Sequence, residues 1–360
     1  EHVAALLRDA GLEAEVTSVD CPDRTPGRPA VLAHAEGPAG SPHVLIYSHH
    51  DVQPVGDPSA WQQADPFVAE QRGERLFGRG TSDDGAGVVT HPHALRILRE
   101  LGGGQLPCSV TVFIEGEEEV GSPSFEAFLD ADVIIVADSS NWRVGVPALT
   151  TSLRGVVQVD ARIDVLDHAL HSGQYGGPVL DAVTTMCRLV STLHDDAGDV
   201  AVPGLVSEPA AAPDFPEYSE EDFRADAGVL PGVELIGTGD LTARLWTKPT
   251  ITVIGMDVTP LERSGNVLAP SCTARISMRI APGQDPESAI EALTAHLSSH
   301  VPFGARLTVT GREAGPAFHG SSDTPAGRAA HWALSTGFGA EAVDIGQGGS
   351  IPFIATLQST

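Results

Sequence analysis

Lysine is all but missing from this chain: Lys248 is the only one among 360 residues. With 21 basic residues against 48 acidic ones, the formal charge is −27. That balance excludes nucleic acid as a partner, because phosphate contacts need clustered Lys and Arg. Long hydrophobic runs are missing too. "VLIY" and "VIIV" are far too short to cross a membrane and read as buried strands. The four cysteines, Cys21, Cys108, Cys187 and Cys272, form no CxxC pair, and reduced thiols in a cytoplasmic protein are their simplest account. No signal peptide is visible. The chain starts without Met and inside a helical pattern, so a preceding piece is expected to be absent.

What is present is a normal globular share of apolar residues, 41%, and enough length for two domains. Up to about residue 155, strand-like and helix-like segments alternate: "HVLIY", "GAGVVTHPHALRILREL", "SVTVFIEG", a short helix over "SPSFEAFL", and "DVIIVAD". In the first long helix Val88, Leu95, Leu98 and Leu101 fall near helical spacing, and Pro92 suggests a kink. This grammar predicts an α/β layer on a mostly parallel sheet, whose sites collect at the C-terminal strand ends.

From about Gly155 the pattern changes. "VVQVDARIDV" reads as a strand, and the next segment as a helix with Ala182, Met186, Leu189 and Leu193 on one face. After an acidic, proline-rich stretch from about Ala201 to Lys248, which reads as a loop or insertion, come "ITVIGMDV", "SCTARISMRI", "DPESAIEALTAHLSSH" and "ARLTVTG". The order β-α-β-β-α-β predicts an inserted α+β domain of the ferredoxin-like, split βαβ kind. A helix over "TPAGRAAHWALSTG" and a strand over "PFIATL" then return to the first layer. The expected domains are 1–155, 156–314 and 315–360, the first and last forming one catalytic unit.

Four polar clusters follow strands: His49-His50-Asp51, Asp83-Asp84, Glu117-Glu118-Glu119 and Asp138. On one sheet edge they converge, and carboxylates crowded without cations would repel and raise one another's pKa. One histidine with several carboxylates suits divalent zinc or manganese, and a shared carboxylate can bridge two ions. Each cluster alone has a plainer reading. Asp83 would be a helix N-cap, the glutamate run a solvated loop, His49 a hydrogen-bonded strand residue and Asp138 a turn former. His91 and His93, around Pro92, read as surface or core residues.

"SHHDVQP", "GRGTSDD", "EGEEEVGS", "ADS", "LHSGQYGG" and "GGSIP" together resemble the M20 metallopeptidases, in particular the dipeptidase and carnosinase-like branch. The motifs run in family order from about Val44 to Pro352. The resemblance implies two divalent ions, with His49 and Asp138 on one, Glu119 on the other and Asp83 bridging. Asp51 would orient the His49 ring, and Glu118 would be the general base that activates a metal-bound water. Glu117 and His50 fall on variable positions. It further implies a lid domain that closes over the site and pairs two copies in a homodimer. In that lid His171 donates to the oxyanion, while Asn266, Arg279 and, beyond it, Ser350 hold a small peptide substrate.

Two departures stand out. The family's "DDKG" or "DNKG" appears as "DDGAG", with Gly85 and Ala86 in place of lysine and glycine; a local change at the helix entry is expected, with metal binding kept. The family's last metal-ligand histidine lies downstream of "GGSIP", where this chain has none, so the second ion is expected to be weakly held and both ends of the native protein to be absent. The leading expectation is a two-metal dipeptidase. Its rivals are an N-acyl-amino-acid deacylase with the same metals, a non-catalytic peptide-binding relative, and an acidic scaffold that holds no metal.

Overall fold

The computed structural model describes residues 1–125, 131–207, 215–349 and Ile354. The chain divides into two units, residues 1–140 and 141–360. The first contains α1 (His2–Asp9), β1 (Glu13–Thr17), β2 (Ala30–Ala35), β3 (His43–His49), the hairpin β4 (Glu70–Arg72) and β5 (Arg75–Phe77), α2 (Gly85–Leu101), β6 (Ser109–Glu115) and β7 (Val133–Val136). Five strands form one sheet in the order β1-β2-β6-β3-β7. β3 runs parallel to β6 and β7, whereas β1 with β2 and β2 with β6 are antiparallel. The sheet is therefore mixed, and the expected mostly parallel character is confined to β3, β6 and β7. The connections explain this: α2 provides the crossover a parallel β3–β6 pair needs, and no helix separates β1 from β2.

This unit's core joins Ala4 and Leu7 of α1 and Val88 and Leu95 of α2 to Val31, Ala33, Val110, Val112 and Ile114 of the sheet. Leu98 and Leu101, expected on the same stripe, are exposed. Successive three-residue steps fall about 60° short of a full turn each, so the row 95-98-101 winds off the buried face. The face that is buried comprises Val88, His91, Pro92 and Leu95, and the helix runs through Pro92.

The second unit contains β8 (Ala148–Leu153), β9 (Gly155–Asp164), β10 (Leu170–His171), α3 (Ser172–Tyr175), α4 (Ala182–Val190), α5 (Glu220–Ala227), α6 (Leu241–Trp246), β11 (Thr250–Met256), β12 (Val267–Leu268), β13 (Ser271–Ile280), α7 (Pro286–His300), β14 (Arg306–Gly315), β15 (Phe318–His319), α8 (Pro325–Phe338) and β16 (Val343–Gln347). β11, β13, β9 and β14 form an antiparallel sheet in that order, and its elements follow the β-α-β-β-α-β sequence expected. Alternate residues of β9 and β13 (Val157, Val159, Ala161 and Ile163; Ala274, Ile276, Met278 and Ile280) share a core with Ala182, Met186 and Leu189 of α4 and Ala289, Leu293 and Leu297 of α7. Period two on the strands meeting period 3.6 on the helices makes this the most legible part of the chain.

The stretch from Ala201 to Lys248 is not all loop. It carries α5 and α6, and Trp142, Phe215, Tyr218, Phe223 and Trp246 stack around them edge to face. β8 pairs parallel with β16 and antiparallel with β15 in a separate sheet. The helix expected over "TPAGRAAHWALSTG" is α8, capped by Thr324, whose hydroxyl accepts from Gly327 N–H. The strand expected over "PFIATL" lies outside the described residues apart from Ile354, as does residue 126 onward of the helix expected over "SPSFEAFL". Among the described residues no helix is long and apolar enough to cross a membrane.

Candidate metal centre

His49 ends β3 in register with Glu115 of β6, Asp138 stands two residues beyond β7, and Asp83 precedes the first turn of α2. One donor atom from each of His49, Asp83 and Asp138 lies within 4.8 Å of the other two. His49 Nε2 is 3.0 Å from Asp83 Oδ1 and 3.7 Å from Asp138 Oδ1. It is buried, yet neither approach has hydrogen-bond geometry, so the atom has no hydrogen-bond partner. Two ligands of one zinc ion, each at about 2.0–2.2 Å, stand roughly 3 Å or more apart. The donor set, one imidazole and two carboxylates, therefore fits a divalent cation, with the exposed Asp83 side left open for a further ligand.

The ring is held from behind. His49 Nδ1 lies 3.1 Å from the Asp51 carbonyl oxygen and 3.4 Å from Asp51 Oδ1, so Nε2 faces Asp83 and Asp138. Burial disfavours an imidazolium here, but the carboxylates of Asp138 and Asp51 beside the ring outweigh it and push the His49 pKa up to about 11. A ligating histidine is neutral, so a divalent ion bound here would displace any proton the ring carries.

The adjacent aspartates divide the work. Asp84, not Asp83, caps α2: its Oδ1 accepts from Gly87 N–H at 3.0 Å and its Oδ2 from His49 N–H at 3.1 Å. Burial and, less strongly, Asp138 raise Asp84 to about 7, against the pull of those two donors. A side chain at Gly87 would put its Cβ 2.8 Å from the Ala137 carbonyl oxygen. Gly87 thus lets the start of α2 press on the chain just ahead of Asp138, and Asp84 ties the same helix end to His49.

The glutamate run forms a tight turn, with Glu118–Val120 in 3₁₀ conformation and Gly121 left-handed at its end (φ 93°). Asp51 accepts the backbone N–H groups of Glu118 and Glu119, each at 3.2 Å. Burial comes first and Asp138 second in pushing Glu118 up to about 8, with His49 opposing. Glu119 accepts from Gln53 Nε2 at 2.5 Å and is not one of the three converging residues. Of the four expected ligands the structure thus brings together His49, Asp83 and Asp138, with Glu119 bonded to Gln53.

Glu117 is buried: it accepts from Arg28 N–H at 3.0 Å, from Ser124 N–H at 2.9 Å and from the Ser124 hydroxyl. Sequence reasoning passed over it, since nothing in three consecutive glutamates marks the one that turns inward. His50 is exposed and bonded to the Pro29 carbonyl; His91 is buried against the Tyr47 carbonyl at 3.1 Å; His93 reaches Val89 O on its own helix.

The remaining expected residues belong to the second unit. His171 is exposed, caps α3 by accepting from Gly173 N–H at 3.1 Å, and pairs across β10–β12 with Val267. Asn266 is exposed, and its carbonyl accepts from Ser172 N–H at 2.9 Å. Arg279 is half-buried on β13 opposite Thr250 and Val156. Ser350 lies outside the described residues.

Comparison with known proteins gives a consistent picture. The description "Peptidase family M20/M25/M40" matches residues 45–357. A cysteinylglycine-S-conjugate dipeptidase of Corynebacterium striatum is 33% identical over 99% of this chain and 78% of its own. A Cys-Gly metallodipeptidase of Schizosaccharomyces pombe is 26% identical over 92% of this chain and 74% of its own. The crystal structure of human carnosine dipeptidase 1 superposes with a TM-score of 0.80 at 25% identity, covering 99% of this chain and 80% of that one.

Proposed function

The chain belongs to peptidase family M20/M25/M40, and from that premise we propose that it hydrolyses the peptide bond of dipeptides with divalent metal, zinc in the first instance, at the centre built on His49. The observation that carries this reading is the convergence of the unpartnered His49 Nε2 with Asp83 and Asp138. These three residues would hold one ion, and Glu119, on the turn bonded to Asp51, would serve a second together with Asp83. A divalent ion supplies Lewis acidity: it polarises the peptide carbonyl and lowers the pKa of a water molecule.

The chain's own groups do the rest. Asp51 keeps the His49 ring oriented and, through the backbone N–H groups of Glu118 and Glu119, fixes both glutamates relative to it. Glu118 takes the proton of the attacking water and delivers it to the leaving amine. Its carboxyl is raised to about 8 by burial and Asp138. Ionised, it accepts the water's proton in the first transfer, and that same proton is what it hands to the amine in the second. His171 donates to the developing oxyanion, and the guanidinium fork of Arg279 suits the substrate's carboxylate, with Asn266 and Ser350 as further contacts. The antiparallel unit from residue 156 to 314 acts as a lid and pairs two copies, and the protein works in the cytoplasm.

The test is a panel of dipeptides, Cys-Gly and β-Ala-His among them, against N-acetylated amino acids with zinc or manganese present. Dipeptide turnover is expected. Exclusive turnover of acylated amino acids would make the protein a deacylase, and binding without turnover a peptide-binding relative.

A further inference from the structure

Beneath the turn that carries Glu118 lies a carboxyl group for which the hydrolytic steps have no use. Glu115, the last residue of β6, is 1% exposed. Its Oε1 accepts from the Tyr47 hydroxyl and, at 2.7 Å, from the Ser122 hydroxyl. Its Oε2 is buried with no hydrogen-bond partner. Leaving a carboxylate oxygen dry is costly, so the arrangement needs a compensating role.

Ser122 shows what is gained. Among the described residues it is one of three non-glycine residues with positive φ, at 49°, a conformation that strains any residue with a Cβ. Two bonds hold it there: its N–H to the Glu117 carbonyl at 2.9 Å, and its hydroxyl to Glu115. Gly121, itself left-handed, donates to the Glu118 carbonyl at 2.8 Å. The turn is thereby closed on itself and tied back to β6 through Ser122. Asp51 grips its front through the amides of Glu118 and Glu119, and Glu115 grips its back through Ser122.

We propose that Glu115 is a positioning residue for the catalytic turn: as a buried acceptor anchored by Tyr47, it holds Ser122 left-handed and so fixes where Glu118 and Glu119 point. Its consequence for turnover rests on the hydrolytic reading above; its geometry does not. The role is that of an acceptor and not of a charge, so an amide oxygen can fill it.

Two readouts on Glu115→Ala, Glu115→Gln and Ser122→Ala test this. The first is hydrogen exchange of the amides from Glu117 to Ser124 in metal-free protein, which reports turn opening whatever the activity. Glu115→Ala and Ser122→Ala are expected to speed it by about tenfold, the scale of one lost hydrogen bond, with Glu115→Gln near wild type. The second is the split between kcat and KM on a dipeptide: kcat is expected to fall about tenfold in both alanine variants with KM within about twofold, and Glu115→Gln to recover most of the loss. Ser122→Ala carries the test if Glu115→Ala does not fold. Wild-type exchange in the alanine variants, or equal damage from Glu115→Gln and Glu115→Ala, would overturn the proposal. A wild-type protein that exchanges as expected but turns over no dipeptide would sink the hydrolytic reading and leave the positioning role standing on exchange.

Discussion

His49 Nε2 and Asp83 Oδ1 stand 3.0 Å apart without forming a hydrogen bond. A buried imidazole nitrogen that has carboxylate oxygens of Asp83 and Asp138 for neighbours, and no aligned proton between, is arranged as ligands are around a cation.

Asp51→Asn keeps the side chain's size while weakening its hold on the His49 ring and on the amides of Glu118 and Glu119. Metal affinity is expected to fall about 10- to 100-fold, the usual effect of losing a carboxylate that orients a ligating histidine. Competition titration against a chelator of known affinity measures it, and unchanged affinity would remove Asp51 from that role.

Glu118→Gln leaves His49, Asp83 and Asp138 intact and removes the proton acceptor. Turnover of a dipeptide is expected to drop by roughly 10²- to 10⁴-fold, with bound metal equal to wild type by elemental analysis. Wild-type activity in the variant would assign the base elsewhere.

Asp160 on β9 bridges Arg275 and Arg312, and those hydrogen bonds, Arg275's first, pull its carboxyl down to about 2. A depressed folded-state pKa contributes stability above the unfolded value, about 3.9, and loses it as pH falls through about 2. Asp160→Asn is therefore expected to lower stability at pH 7 by no more than about 1 kcal/mol, as suits a solvent-screened pair. The gap should close between about pH 4 and pH 2. Thermal melts of both proteins across that range decide it; a gap that widens on acidification would contradict the assignment.

Met186 of α4 is fully buried between the sheet residues of the second unit's core. Met186→Ala is expected to cost about 2–5 kcal/mol in chemical denaturation, from lost burial plus the cavity left behind. A cost below about 1 kcal/mol would mean that the packing collapses around the gap.

Much of this was legible from residues alone where one rule governed. Strand-end placement brought His49 and Asp138 together, because β3 and β7 are parallel neighbours whose C-terminal ends share an edge, and Asp83 joins them from the start of α2. The α4 face of Ala182, Met186 and Leu189, continued by Leu193, followed from helical spacing. Where two rules competed, the reading slipped. α5 sits in a stretch whose prolines and acids read as a loop or insertion, although Ser219 followed by Glu220, Glu221 and Asp222 spells a helix start: the Ser219 hydroxyl accepts from Asp222 N–H at 3.1 Å, and the acids face the positive helix end. The split between Asp83 and Asp84, and the inward turn of Glu117, were not legible. Both depend on backbone dihedrals over two or three residues, which side-chain chemistry does not reveal. Glu119 bonded to Gln53 belongs to the same class.

The most direct measurement is to locate metal in zinc-loaded crystals by anomalous scattering, with elemental analysis of wild type and His49→Ala in parallel. An ion bonded to His49 Nε2, Asp83 and Asp138, absent from His49→Ala, is the expected result. Zinc found only at other side chains, or held equally by the alanine variant, would contradict the metal centre and the hydrolysis derived from it.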